Sequence, residues 1–202
     1  PSTCRLAPEA AARMRASILF CAPLLARLGR VETVLPGGCR IGARPVDLHL
    51  SGLAQMGVHC REEGERLILT APAGLHGADI TLGFPSVGAT ETLLLAAAAA
   101  QGETHIVNAG RLRLKESDRI ATTCALINSL GGDACELPEG IVIHGTGGLK
   151  GGKVDSCNDH RIAMSAALAA SICTEDVVID GAECVAKSYP RFWDEDIFKD
   201  NN

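Results

Sequence analysis

Three apolar, Ala-rich segments recur along the chain: PEAAARMRASILFCAPLLARLG at residues 8–29, VGATETLLLAAAAAQG at 87–102 and NDHRIAMSAALAASICTE at 158–175. Each joins helix-favouring residues to apolar positions on nearly every side, a pattern that predicts a buried helix rather than a surface one. Each is followed by a short β-rich run, RVETVL at 30–35, ETHIVN at 103–108 and DVVIDG at 176–181, and these strands start about seventy residues apart. After each strand comes a loop and a more amphipathic stretch, at residues 45–57, 115–132 and 187–198, also predicted as helix. The runs at 59–71 and 133–145 alternate around a glycine and predict hairpins. No third hairpin follows the last unit.

Each unit is too small to bury its own apolar helix face, so three of them are expected to share one centre. The predicted fold is therefore α/β, a single domain over residues 1–202 built of three βαβαββ repeats, with buried helices and outer sheets in an inside-out, barrel-like arrangement. The last repeat lacks its hairpin. Two separate domains are the alternative.

Composition changes this picture little. The chain is 47% hydrophobic and 21% charged with a net charge of −5, as expected of a soluble globular protein without a general affinity for nucleic acid. The longest apolar run, residues 93–100, is far short of the ~20 residues that span a bilayer, so no membrane partner is expected. The nine cysteines form no C-x-x-C pair, which argues against a zinc site and a disulfide framework and suits reduced thiols in a cytoplasm. No metal or cofactor is expected.

Candidate chemistry is concentrated at loops and helix starts. Cys39 stands in the Gly-rich stretch LPGGCRIGARP with Arg40 and Arg44 nearby, cationic neighbours that favour a thiolate. Arg side chains such as Arg15 and Arg44 offer a two-pronged fork to phosphate or carboxylate. Ser86, Val87 and Gly88 open a predicted helix, whose free N–H groups and dipole suit an anion, although Ser86 is equally well explained as an N-cap. In KESDR, Lys115 and Arg119 are four residues apart and would share a helix face with Glu116 between them. In NDHR, His160 and Arg161 would begin a buried helix, where their charge calls for an anion. Tyr189, Phe192 and Trp193 are read as packing residues that hold the C-terminal helix to the domain.

Taken together, the repeat and the motifs MRAS, LPGGCRIGARPVDLHL, FPSVGATE, RLRLKESDRI, CNDHRIAMSAALAA and GAECVAKSYPRFWDE resemble the enolpyruvyl transferase family, whose members move the carboxyvinyl group of phosphoenolpyruvate onto a hydroxyl. Residues 1–108 resemble the branch that acts on UDP-N-acetylglucosamine in peptidoglycan synthesis. Residues 111–202 resemble the EPSP synthase branch of the shikimate pathway, which serves aromatic amino acid synthesis and acts on shikimate 3-phosphate. The chain accordingly reads as a chimera with its seam at 108–111.

The resemblance assigns roles to particular residues. It makes Cys39 a general acid toward the vinyl carbon, Glu116 a proton-transfer group, and Lys187 a phosphate ligand and proton donor. Arg15, Arg44, Arg119 and Arg161 would hold phosphoenolpyruvate, with Lys115 and His160 beside them. Pro45, Val46 and Asp47 would lie along the uracil, and Ser86, Val87 and Gly88 at the diphosphate. Ser86 also stands where the shikimate branch carries an acidic residue. Typical members close two domains over a cleft, and this chain has the length of one, so the resemblance implies a half-site with little turnover unless a homodimer or a complementing domain closes it. A folded domain that only binds anions is the other reading.

Overall fold

The computed structural model describes residues 3–6, 8–13, 15–35 and 46–194, and the side chains of residues 10, 13, 15 and 16 lie outside that description. The βαβαββ repeat is present. In the first unit, Cys4 to Leu6 lie parallel to strand β1 (Arg30–Val34), with Leu6 N donating to Glu32 O and Glu32 N to Cys4 O. Strands β2 (His59–Glu63) and β3 (Arg66–Thr70) complete the sheet in the order β1-β3-β2. The second unit repeats this as β4 (Asp79–Thr81), β5 (Gln101–Val107), β7 (Gly140–Thr146) and β6 (Ala134–Leu137), side by side in that order, with β4 parallel to β5. In the third, β8 (Gly152–Asp155) runs parallel to β9 (Val177–Asp180), and no hairpin follows among the described residues. None of these sheets closes into a barrel.

Strand alternation decides which face turns inward. Val31 of β1, Leu67 and Leu69 of β3, Ile106 of β5 and Ile141 of β7 are fully buried, whereas the edge strand β2 reads HCREE and is exposed throughout. Charged side chains on a free edge oppose pairing with other chains. The helices fill the centre. α4 (Val87–Ala99) is buried on every side from Ala89 onward, and α6 (His160–Ala170) from Ile162 to Ala169. One continuous cluster joins α2, α4, α5 and all three sheets, and a smaller one seats Phe192 against Ala163 and Val185. No helix of the described residues is long and apolar enough to cross a membrane.

Several expected elements differ. The first apolar segment divides into α1 (Pro8–Arg13), a 3-10 turn (Arg15–Phe20) and α2 (Cys21–Leu28). Pro23 lacks an N–H and its ring crowds the carbonyl four residues earlier, so the α-helix starts just before it. The predicted helix at 187–198 is replaced, as far as Asp194, by 3-10 turns at Ala182–Lys187 and Phe192–Asp194. Pro190 interrupts it for the same reason. The aromatic residues nevertheless pack as expected: Phe192 meets Tyr189 and Trp193 edge-on, at centroid distances of 5.8 and 4.8 Å. The helix containing KESDR, α5, spans Arg119–Ser129, with Asp118 as its N-cap. Lys115 precedes the helix in extended backbone, so it and Arg119 share no helical face.

Helix α3 (Asp47–Gln55) lies against α4 through Gly52, where an added Cβ would stand 2.5 Å from both terminal carbons of buried Leu93. Gly52→Ala should therefore destabilise the protein by about 1–2 kcal/mol, the overpacking cost exceeding the gain in helix propensity. Urea unfolding measures this, and an unchanged or higher midpoint would contradict so close an approach.

Candidate active site

Three helices of the described residues begin with a capping side chain. Ser86 Oγ accepts from Ala89 N at 3.3 Å, Asp118 Oδ1 from Ile120 and Ala121 N at 3.1 and 3.2 Å, and Asp159 Oδ1 from Arg161 N at 2.9 Å. Such caps satisfy N–H groups that the first helical turn leaves without partners. Asp118 is in turn held by Arg113, whose Nη1 donates to Asp118 Oδ2 at 2.7 Å and to Glu136 Oε2 at 2.9 Å. The loop before α5 is thereby tied to the β6–β7 hairpin.

Asp159 organises the ends of α5 and α6. Its carboxylate is 0% exposed and accepts Arg119 Nε at 2.7 Å, Arg119 Nη2 at 3.0 Å and Ser117 Oγ at 2.8 Å, besides the Arg161 N–H. Burial favours the neutral acid, but these donors outweigh it and hold the carboxyl below its ordinary range. Arg119 is 3% exposed, and its Nη2 also donates to Glu116 Oε2 at 2.5 Å. Its fork therefore faces carboxylates of the protein itself.

Of the two guanidinium groups, Arg161 is the one that solvent reaches, with 35% of its side chain exposed. Its Nη1 donates to Glu91 Oε2 at 2.8 Å, a contact spanning 70 residues. Glu91 is buried, its second oxygen lies 3.8 Å from Arg119 Nη1, and that oxygen accepts no hydrogen bond among the described residues. Burial is the largest influence on its carboxyl and pushes it above the ordinary range, against the two guanidinium groups. His160 Nδ1 lies 3.9 Å from Asp159 Oδ1. Burial lowers its pKa, which favours the neutral imidazole. Lys187 Nζ donates to Asn158 Oδ1 at 2.9 Å, which places the ammonium at the start of α6 as well.

The structure thus gathers Glu116, Arg119, His160, Arg161 and Lys187 around the starts of α5 and α6. Lys115 is exposed in the loop preceding them. Ser86, Val87 and Gly88 form the start of α4, about one turn from Glu91. Val46 and Asp47 begin α3, which meets α4 where His49 approaches Gly88 and bonds Thr92 Oγ1 at 2.8 Å. Cys39, Arg44, Pro45 and the Arg15 side chain lie outside the described residues. The cysteines within them are free thiols, and burial raises Cys21 and Cys124 to about 12 and Cys173 to about 11.

Sequence reasoning missed Glu91, Asp159 and Ser117. For Glu91 a signal existed: a carboxylate within an otherwise apolar helix requires a buried partner. Asp159, just before an apolar run, also had the form of an N-cap.

The family model for EPSP synthase (3-phosphoshikimate 1-carboxyvinyltransferase) matches residues 3–110 and 96–195, and the chain belongs to this family of carboxyvinyl-transferring enzymes. It is 44% identical over 171 residues to a UDP-N-acetylglucosamine 1-carboxyvinyltransferase of Acidiphilium cryptum, covering 84% of this chain and 40% of the relative. It is 52% identical over 103 residues to a 3-phosphoshikimate 1-carboxyvinyltransferase of Clostridium acetobutylicum, covering 51% of this chain and 24% of the relative. An EPSP synthase structure from Acinetobacter baumannii has a TM-score of 0.66 at 30% identity, over 89% of this chain and 44% of that one. The chain therefore spans less than half the length of these relatives. The first match is longer than either part of the chain flanking 108–111, so likeness to the nucleotide-sugar enzyme crosses that junction.

Proposed function

We propose that the chain is one carboxyvinyltransferase domain that binds the phosphate or carboxylate of phosphoenolpyruvate at the starts of α5 and α6. Arg161 is the reachable fork, Lys187 a second cation, and neutral His160 and Glu116 the proton-handling neighbours. The grouping of these residues around the Asp159 cap carries the reading, because residues expected to share one ligand are brought together from separate elements. UDP-N-acetylglucosamine or shikimate 3-phosphate is the acceptor class, from the names of the relatives. In this reading the chain is a chimera of the two branches. By itself it is a half-site with little turnover, and a second copy or a complementing domain supplies the missing wall.

Isothermal calorimetry with phosphoenolpyruvate or inorganic phosphate tests the binding step. Weak binding is expected that falls several-fold as salt rises from 0.05 to 0.5 M, because an exposed cation is screened over about 10 Å at 0.1 M salt. Arg161→Gln should abolish it. Salt-independent binding, or none, would refute the cationic site.

A further inference from the structure

Glu91 is a buried ionisable group within the cluster to which the proposed function gives no part. It is 6% exposed, and its Oε2 takes the Arg161 Nη1 donor at 2.8 Å. Arg161 Nε and Nη2 make no hydrogen bond with the described residues. The pair is thus a single-donor contact, weaker and less directional than the two-pronged form. Arg119, by contrast, is fixed by both oxygens of Asp159 and cannot turn outward.

We propose that Glu91 is an internal occupant of the Arg161 site, a carboxylate with which an incoming phosphate or carboxylate ligand competes, so that Glu91 sets the affinity of the site. This rests on reading Arg161 as the anion ligand. The groups facing Glu91 are Arg161 on α6, Arg119 on α5 and the Asp159 cap between them; Glu116 and His160 lie beyond Arg119 and Asp159. Arg161 combines partial exposure with a tie to a buried acid, so it can turn from one carboxylate to another without leaving its helix. The unsatisfied Oε1 and the upward push of burial on the Glu91 carboxyl both mark its charge as poorly compensated in place. Glu91 also sits in the FPSVGATE half and Arg161 in the NDHR half, so the competition arises where the two motifs meet.

The test compares phosphate affinity by calorimetry in the wild type, Glu91→Gln, Glu91→Leu and Glu91→Gln with Arg161→Gln, using any Glu91 variant that unfolds cooperatively. Removing the competing carboxylate should tighten phosphate binding about tenfold, the scale of one charge-assisted hydrogen bond, and the added Arg161→Gln change should abolish the gain. Equal affinity in the wild type and the Glu91 variants would overturn the proposal and leave the anion site standing. No binding in any variant would overturn both. The wild type provides a readout that is independent of substitution: the Glu91 side-chain carboxyl 13C resonance should shift as phosphate saturates the site, and an unmoved resonance at saturation would also overturn the proposal.

Discussion

Replacing Asp159 with alanine should cost about 3–5 kcal/mol of folding stability. The carboxylate is 0% exposed and receives four donors: two from Arg119, one from Ser117 and one from the Arg161 backbone. Removing it leaves the Arg119 charge, itself 3% exposed, without its main partner, and breaking one side of a buried ion pair is far more costly than never having formed it. Loss of the α6 cap acts at the same site and so does not simply add. For a chain of this size the melting temperature should fall by roughly 6–20 °C. Asp159→Asn should fall between the two, since an amide still accepts at the cap but carries no charge.

The pH dependence has a definite sign. The folded pKa of Asp159 is depressed, so its contribution is present above the unfolded value, ordinarily 3.8, and is lost as pH falls through the folded value. The difference between wild type and Asp159→Ala should therefore be constant near neutrality and shrink below about pH 4. Urea titrations at pH 7 and pH 3 measure both quantities. A cost under about 1 kcal/mol at pH 7 would show that Arg119 finds another partner and that Asp159 does not organise the site.

Phosphate release from phosphoenolpyruvate should stay at background for the 202-residue chain with either acceptor. An enzyme of ordinary power accelerates its reaction by about 10⁶-fold or more, which requires transition-state contacts and exclusion of water. Here the start of α4 carries Ser86, whose oxygen is engaged as a cap and is no carboxylate base. Glu116 is 53% exposed and bound to Arg119. Arg119 faces Asp159 instead of solvent. A coupled phosphate assay, run with the mass in solution measured in parallel, tests this: robust release by a monomer with either acceptor would refute the half-site reading, whereas release that appears only with dimerisation or an added complementing domain would support it.

Hydrophobic patterning alone determined the repeat. α4 and α6 were legible because helices buried on every side are apolar on every side, and the hairpins because their half-buried strands β3 and β7 alternate. The cap at Ser86 was legible for a local reason, as its acceptor lies three residues away. Strands β4 and β8 escaped because three or four residues are too few to show a period, and their pairing depends on the parallel neighbour beyond each helix. The helix expected at 187–198 failed at Pro190, where local backbone chemistry overrides amphipathic spacing. KESDR and NDHR marked Arg119 and Arg161 as site residues, and Glu116 is a partner of Arg119 within its own motif, yet nothing local to either motif shows which buried carboxylate each guanidinium faces. Those partners, Asp159 at 40 residues' separation and Glu91 at 70, are chosen by how α4, α5 and α6 pack. A buried charge takes the counter-charge that packing brings within about 3 Å, and sequence order does not encode that distance.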